Sequence, residues 1–120
     1  MNLSFGEVQR FVSRLDHARA FYADLLGLRL VDESPEWLVF DVSGVEFIIM
    51  GGAAPGSQRE QYGRACATVL CLKSSDIFAD YAQLTAQGVV FFSEVNEAAP
   101  GKYYVAFQDP EGNLLELIQK

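Results

Sequence analysis

Cysteine is scarce in this chain, with only Cys66 and Cys71 among its 120 residues. If both lie on one strand, their odd separation directs them to opposite faces, because side chains alternate along a strand. A disulfide between them is then geometrically unfavourable. Two unpaired thiols are typical of a reducing compartment, so we expect a cytoplasmic protein.

Positive charge is also scarce. Nine lysine and arginine residues stand against sixteen acidic ones, which gives a formal net charge of −7. Such a chain repels phosphate backbones, so we do not expect nucleic acid as a partner. Cationic small molecules are compatible with this charge, although many acidic surfaces serve only solubility.

Long apolar runs are missing from the sequence. No stretch approaches the roughly 20 apolar residues needed to span a bilayer. The N-terminus has neither the basic start nor the apolar stretch of a signal peptide. We therefore expect a soluble protein without a membrane partner.

Hydrophobic residues make up half of the chain, which is enough for one packed core. The length is that of a single domain, predicted here over residues 1–120. Within it the pattern predicts module one at about 5–51, a linker rich in turn formers at about 52–63, and module two at about 64–120.

Both modules show the same order of elements, a strand, a helix and three strands. In module one Asp16 is the predicted cap of a helix that ends near Leu26, and Ser43-Gly44 is a predicted tight turn. The four strands of module one are predicted at residues 7–13, 28–32, 37–42 and 45–50.

In module two Ser75-Asp76 opens a predicted helix that reaches Gly88. Its four strands are predicted at residues 65–73, 89–95, 103–108 and 114–118. The second module repeats the pattern of the first. The sequence therefore predicts an α+β fold of two tandem βαβββ modules.

Two motifs resemble signatures of one family. The first is Phe21-Tyr22 followed by Leu26-Gly27-Leu28, and the second is Asp109-Pro110-Glu111-Gly112-Asn113 followed by Glu116-Leu117. Together, about 90 residues apart around a repeated module, they resemble the glyoxalase, bleomycin-resistance and extradiol-dioxygenase proteins, the vicinal oxygen chelate superfamily. The resemblance covers essentially the whole chain and implies curved mixed sheets around a cavity.

The resemblance also implies four metal-ligand positions, one on the first strand and one on the last strand of each module. These positions fall on Glu7, Ile48, Glu116 and either Val69 or, if the register slips by two, Ala67. The only histidine, His17, lies at the start of the first helix, where the family's ligands are not found. Two apolar positions lead us to expect no metal cofactor, since divalent transition metals want three or four protein ligands.

Aromatic and apolar side chains replace the missing ligands. Strand alternation places Trp37, Val39, Ile48 and Met50 on the cavity side, and Leu38, Phe40, Phe47 and Ile49 on the helix side. Tyr104 corresponds to Trp37 in the repeat, and Gln9 shares the face of Glu7. The predicted ligand-binding residues are Glu7, Gln9, Trp37, Ile48, Met50, Tyr104 and Glu116.

The leading interpretation is a metal-independent binding protein for a small organic molecule, cationic or aromatic. It would resemble the bleomycin-resistance branch, whose members are small acidic homodimers, and the two apolar ligand positions argue against an enzyme without deciding the question. The alternative is a glyoxalase-like lyase or isomerase, or a dioxygenase, that uses Mn, Fe, Ni or Zn. That alternative requires Glu7 and Glu116 as ligands, with Glu46 recruited through a one-residue bulge. A third possibility is an accessory module that only dimerises or binds a protein.

Overall fold

The computed structural model describes residues 1–65 and 67–120. The chain divides into two compact units, Met1–Pro55 and Gly56–Lys120. Each unit contains the elements of one βαβββ module, so the predicted α+β fold of two tandem modules is confirmed. No helix of the described residues is long and apolar enough to cross a membrane. The prediction about the faces of Cys66 and Cys71 involves Cys66, which lies outside the described residues.

Unit 1 forms a four-stranded mixed sheet, here called sheet 1, with strand order β1-β4-β3-β2 and β1 parallel to β4. Its elements are β1 Glu7–Phe11, α1 Leu15–Arg19, a π-helical turn Ala20–Leu25, β2 Arg29–Glu33, β3 Trp37–Val42 and β4 Val45–Met50. The β3–β4 hairpin turns at Ser43-Gly44, both with positive φ (54° and 85°). This is the geometry that a two-residue hairpin requires, and the predicted tight turn is confirmed.

The first helix differs from the prediction. Asp16 does not cap it, because the guanidinium of Arg14 holds the Asp16 carboxylate at 2.7 and 3.0 Å. That hydrogen-bonded pair also lowers the pKa of Asp16. Beyond Arg19 the helix widens, and the Leu26 N–H bonds to the carbonyl of Phe21, five residues earlier. Sequence periodicity does not distinguish such a wide turn from ordinary helix.

The core of unit 1 lies between this helix and one face of sheet 1. The ring of Tyr22 is fully buried and stands 5.2 Å from the Phe47 ring and 6.1 Å from the Phe40 ring, measured between centroids. The Tyr22 hydroxyl accepts a hydrogen bond from buried Arg10 (3.1 Å). The side chains predicted to lie on this face, Leu38, Phe40, Phe47 and Ile49, are all buried.

Unit 2 forms a second four-stranded mixed sheet, sheet 2, with strand order β5-β8-β7-β6 and β5 parallel to β8. Its elements are a 3₁₀ turn Arg59–Gln61, β5 Leu70–Lys73, α2 Ile77–Ala86, β6 Asn96–Ala99, β7 Lys102–Gln108 and β8 Leu114–Gln119. As predicted, Asp76 caps α2, and its carboxylate accepts the Ala79 N–H (3.1 Å).

Two predicted strands of unit 2 are misplaced. Strand β5 begins at Leu70 rather than at residue 65, and β6 lies at 96–99 rather than 89–95. The apolar run from Val89 is a connection instead: Val89 is buried, and Phe91 forms only an isolated bridge to Phe107. The overlooked signal was Pro100-Gly101, a turn-forming pair that sets the β6–β7 hairpin.

Candidate functional site

Sheet 1 has a helix face and, opposite to it, a face that we call the far face. On the far face Gln9 of β1 lies beside Ile48 of β4, which lies beside Val39 of β3. One step along, Met50 lies between Phe11 and Trp37. The far face therefore brings together five of the residues predicted to bind a ligand, which are Glu7, Gln9, Trp37, Ile48 and Met50.

The far face of sheet 1 also carries a row of carboxylates. Glu46 is the register neighbour of Glu7 on one side and of Asp41 on the other. The Gln9 amide donates to Glu7 at 2.9 Å, and Arg29 lies 3.5 Å from Asp41. The β3–β4 register is continuous from Val42–Val45 to Trp37–Met50, without the bulge at Glu46 that the metal-dependent alternative requires. Glu46 shares the face of Ile48 because the two are separated by two residues.

Trp37 is a surface aromatic on this face rather than core filler. Its residue surface is 38% exposed, and the indole N–H donates to Asp32 at 3.4 Å. Phe11, two strands away in the same row, is 58% exposed. A flat aromatic with its polar edge already bonded is suited to stacking against an apolar ligand.

On sheet 2 the equivalent central position is Glu116. It lies between Cys71 of β5 and Ala106 of β7, as Ile48 lies between Gln9 and Val39. Tyr104 lies one step along β7 on the same face, half-buried. The prediction that Glu116 and Tyr104 share the face opposite the helix is confirmed by this register, since Leu115 and Leu117 are buried on the helix side.

Glu116 has a partner that sequence reasoning did not assign to it. The Tyr62 hydroxyl donates to Glu116 Oε2 at 2.5 Å, and the ring of half-buried Tyr62 meets Phe92 edge-on, with centroids 5.6 Å apart. Burial, together with the Glu116 carboxylate, raises the pKa of Tyr62 far above its ordinary value, so the phenol stays protonated. From the sequence alone, Tyr62 follows a glycine-rich linker and is interpreted either as a lid or, more commonly for such a position, as a surface aromatic.

The other oxygen of Glu116 faces a thiol. Cys71 Sγ lies 3.8 Å from Glu116 Oε1, and burial, followed by the charge of Glu116, raises the pKa of Cys71. A protonated thiol is only a weak donor. Glu116 Oε1 is therefore the less strongly bonded oxygen of the carboxylate.

Gln108 adds a second acceptor to this face of sheet 2. It lies at the end of β7, two residues beyond Ala106 and paired with Leu114. Its side-chain oxygen is buried and has no hydrogen-bond partner among the described residues. Such an oxygen is costly to leave unsatisfied, so it favours a ligand or water that donates to it.

The described residues do not fit the metal site that relatives use. Of the four positions that the resemblance implies, unit 1 offers Glu7 and Ile48, and unit 2 offers Glu116 and either Val69 or Ala67. Within residues 1–65 and 67–120, no three His, Cys, Asp or Glu side chains are grouped closely enough to hold a metal ion. His17 is exposed on α1, in the segment that carries the core residue Ala18.

Unit 1 also has a cavity of about 260 Å³ at one end of its sheet. It is lined by Ser13, Leu15, Pro35, Glu36, Gly51 and Gly52. None of the predicted ligand-binding residues lines it. Gly51 is needed there, because a Cβ at this position would come within 2.9 Å of the Leu15 side chain.

Solved structures of several other proteins have a similar fold. The protein SMU.1112c has 26% sequence identity, a TM-score of 0.81 and coverage of 97% of this chain and 98% of its own. The lactoylglutathione lyase of Agrobacterium tumefaciens has 19% identity and a TM-score of 0.76, with 99% and 95% coverage. The fosfomycin resistance protein FosX of Listeria monocytogenes has 16% identity and a TM-score of 0.78, with 100% and 95% coverage. For the lyase and for FosX, which are 19% and 16% identical to this chain, the similarity shows the fold alone.

A search among curated proteins found no match. The sequence profile of the Glyoxalase/Bleomycin resistance protein/Dioxygenase superfamily matches residues 4–117, almost the entire chain. The chain therefore belongs to the Glyoxalase/Bleomycin resistance protein/Dioxygenase superfamily.

Proposed function

We propose that this protein binds a small organic molecule directly, without a metal, as the bleomycin-resistance branch of the superfamily does. The observation that carries the proposal is the difference at the central position of the two sheets. One sheet has apolar Ile48 there, and the other has Glu116, whose carboxylate is bonded to Tyr62. Neither arrangement supplies the several exposed ligands that a transition metal needs.

The chemistry of the far faces indicates the class of ligand. Trp37 on sheet 1 and Tyr104 on sheet 2 each offer a flat surface for an aromatic or apolar group. Glu7 and Glu116 accept hydrogen bonds and attract positive charge, and charge-assisted hydrogen bonds are about twice as strong as neutral ones. An aromatic cation therefore fits these groups better than an anion, in agreement with the net charge of −7.

We further propose that the protein is a cytoplasmic homodimer. Its partner is the small-molecule ligand, and neither nucleic acid nor a membrane is a partner. The homodimer follows the family resemblance, and the location follows the cysteine content. We do not propose catalysis for this arrangement, because a binding role requires only the aromatic and acidic groups already named.

Benzamidine and benzamide provide a matched pair of probes, since they have the same shape but only the first is a cation. We expect benzamidine to bind more tightly, with the same affinity in the presence and absence of a chelator. Glu116→Gln should weaken benzamidine binding by no more than about tenfold, since one polar contact is worth about 1 kcal/mol. Chemical-shift titration of ¹⁵N-labelled protein measures both affinities. Binding that appears only after a divalent metal is added would contradict the proposal.

One observation favours the metal-dependent lyase or dioxygenase as a second candidate. Glu7 and Glu46 are register neighbours in sheet 1, and two carboxylates with water completing the coordination would hold a hard cation such as Mn²⁺ or Mg²⁺ weakly. If this pair serves a metal, Glu46→Gln should abolish Mn²⁺ binding measured by electron paramagnetic resonance. In the proposed binding protein, the same variant leaves benzamidine affinity nearly unchanged.

A further inference from the structure

The segment before β5 is attached to sheet 2 at two places. We call residues 57–65 the strap. The Gln58 N–H donates to the carbonyl of Gly112 at 2.8 Å, and a Cβ at Gly112 would come within 2.4 Å of the Ser57 side chain. This close approach docks the start of the strap on the β7–β8 turn. Because Gly112 also has φ +85°, only glycine is compatible with both the turn and the contact.

The second attachment is Tyr62. Of the nine strap residues, only Gln58 and Tyr62 are half-buried, and the other seven are exposed. The Tyr62 ring packs on the Phe92 ring, and the guanidinium of Arg59 lies 4.8 Å from the centroid of the Phe92 ring. Gly63, with φ +71°, follows Tyr62 directly. The strap is thus an exposed segment whose far end is held mainly by one aromatic side chain and its hydroxyl.

The Tyr62 hydroxyl is hydrogen-bonded to the Glu116 carboxylate, the group to which a cationic ligand would bind. It donates to Glu116 Oε2, while the one donor to Glu116 Oε1 among the described residues is the weak thiol of Cys71. An amidinium or guanidinium binds a carboxylate through both oxygens at once. Such a ligand must therefore compete with the phenol for Oε2, whereas a ligand with one neutral donor can use Oε1 and leave the phenol in place.

We propose that Tyr62 is an internal competitor for Glu116 that weakens the binding of ligands with a two-pronged cationic donor. A neutral hydroxyl or amide that displaced the phenol would exchange one neutral donor for another and gain little. A cation gains both charge and a second hydrogen bond. The phenol thereby lowers the affinity for cationic ligands and leaves the affinity for neutral ligands, which use Oε1, nearly unchanged. This inference rests on the proposed function, because it assumes that the ligand reaches Glu116.

The test compares benzamidine and benzamide on the wild type, Tyr62→Phe and Glu116→Gln, with Tyr103→Phe as control. Tyr103 also loses one hydroxyl, but it lies on the opposite face of β7 and bonds to Glu97. Removing the competing hydroxyl should tighten benzamidine binding about fivefold in Tyr62→Phe, the value of one ordinary hydrogen bond. Benzamide affinity should change less than twofold, and Tyr103→Phe should resemble the wild type for both probes.

A direct readout accompanies the affinities. With tyrosine labelled at Cζ with ¹³C, the Tyr62 resonance, assigned by its loss in Tyr62→Phe, should move on addition of benzamidine but not of benzamide. Equal benzamidine affinity in the wild type and Tyr62→Phe, with preference for benzamidine lost in Glu116→Gln, would overturn the competitor role and leave the proposed function intact. If benzamidine binds none of the four proteins, the proposed cationic ligand is itself wrong, and the inference fails with it. Circular dichroism spectra check that each variant is folded.

Discussion

At equivalent positions of the two sheets, β4 carries Ile48 and β8 carries Glu116. Each is the central residue of its far face, flanked by Gln9 and Val39 in sheet 1 and by Cys71 and Ala106 in sheet 2. The helix faces behind them are alike, because both are closed by buried aliphatic and aromatic side chains.

The comparison shows that the repeated frame constrains one face of each sheet much more than the other. A side chain on the helix face must fill a fixed volume, since protein interiors are closely packed. A side chain on the far face is free to be apolar, acidic or a thiol without loss of the fold. The residues of the helix face therefore indicate the fold, and those of the far face indicate the function.

Removal of core side chains should produce the largest effect. Phe47 of sheet 1 and Leu115 of sheet 2 are fully buried at equivalent positions. We expect Phe47→Ala to lower the free energy of unfolding by about 3–5 kcal/mol and Leu115→Ala by about 2–5 kcal/mol. Urea denaturation followed by circular dichroism measures both values.

The matched control for the core variants is Ile48→Ala, next to Phe47 but on the far face and only half-buried. It should cost less than about 2 kcal/mol, because less apolar surface is removed from a packed environment. A loss as large as that of Phe47→Ala would show that the two faces of sheet 1 are equally constrained, and the distinction between them would fail.

These core residues were largely predictable. Strand alternation around the Ser43-Gly44 turn assigned Leu38, Phe40, Phe47 and Ile49 to the helix side, and the structure confirms all four. The period of two is a local property of the backbone, so it can be read from the sequence. The same reasoning assigned Glu116 to the far face, because its neighbours are core residues.

The errors arose where specific side-chain or tertiary contacts, rather than the local period of the sequence, determine the structure. Arg14 binds Asp16 and prevents it from capping α1, and the apolar run at Val89 is buried as a connection rather than paired as a strand. The bond between Tyr62 and Glu116 joins residues 54 positions apart. No local pattern indicates such a contact, and it changes which atoms of the site are open to a ligand.

A smaller effect should appear in the reactivity of Cys71, which corresponds to Gln9 in sheet 1. Burial and then the charge of Glu116 raise the pKa of Cys71, and only the thiolate is nucleophilic. Replacing the carboxylate in Glu116→Gln removes one of these causes, so the pKa should fall. Alkylation by iodoacetamide, measured from neutral to alkaline pH in a Cys66→Ser background, should then become faster at neutral pH and reach its plateau at lower pH.

Glu97→Gln is the control for this experiment, because Glu97 is a carboxylate of the same sheet that bonds to Tyr103 instead. It should leave the pH profile of Cys71 unchanged. If Glu116→Gln and the wild type gave identical profiles, the charge of Glu116 would not be felt at Cys71, and sheet 2 would lack the polar centre that distinguishes it from sheet 1.

The most direct test of the central claim is the metal content of the untagged protein. The protein should be purified without chelators, incubated with excess divalent ions, desalted and measured by inductively coupled plasma mass spectrometry. Direct ligand binding predicts far less than one equivalent of Zn, Ni, Fe or Mn per chain. A near-stoichiometric amount of any of them would contradict the claim and make the metal-dependent enzyme the better account.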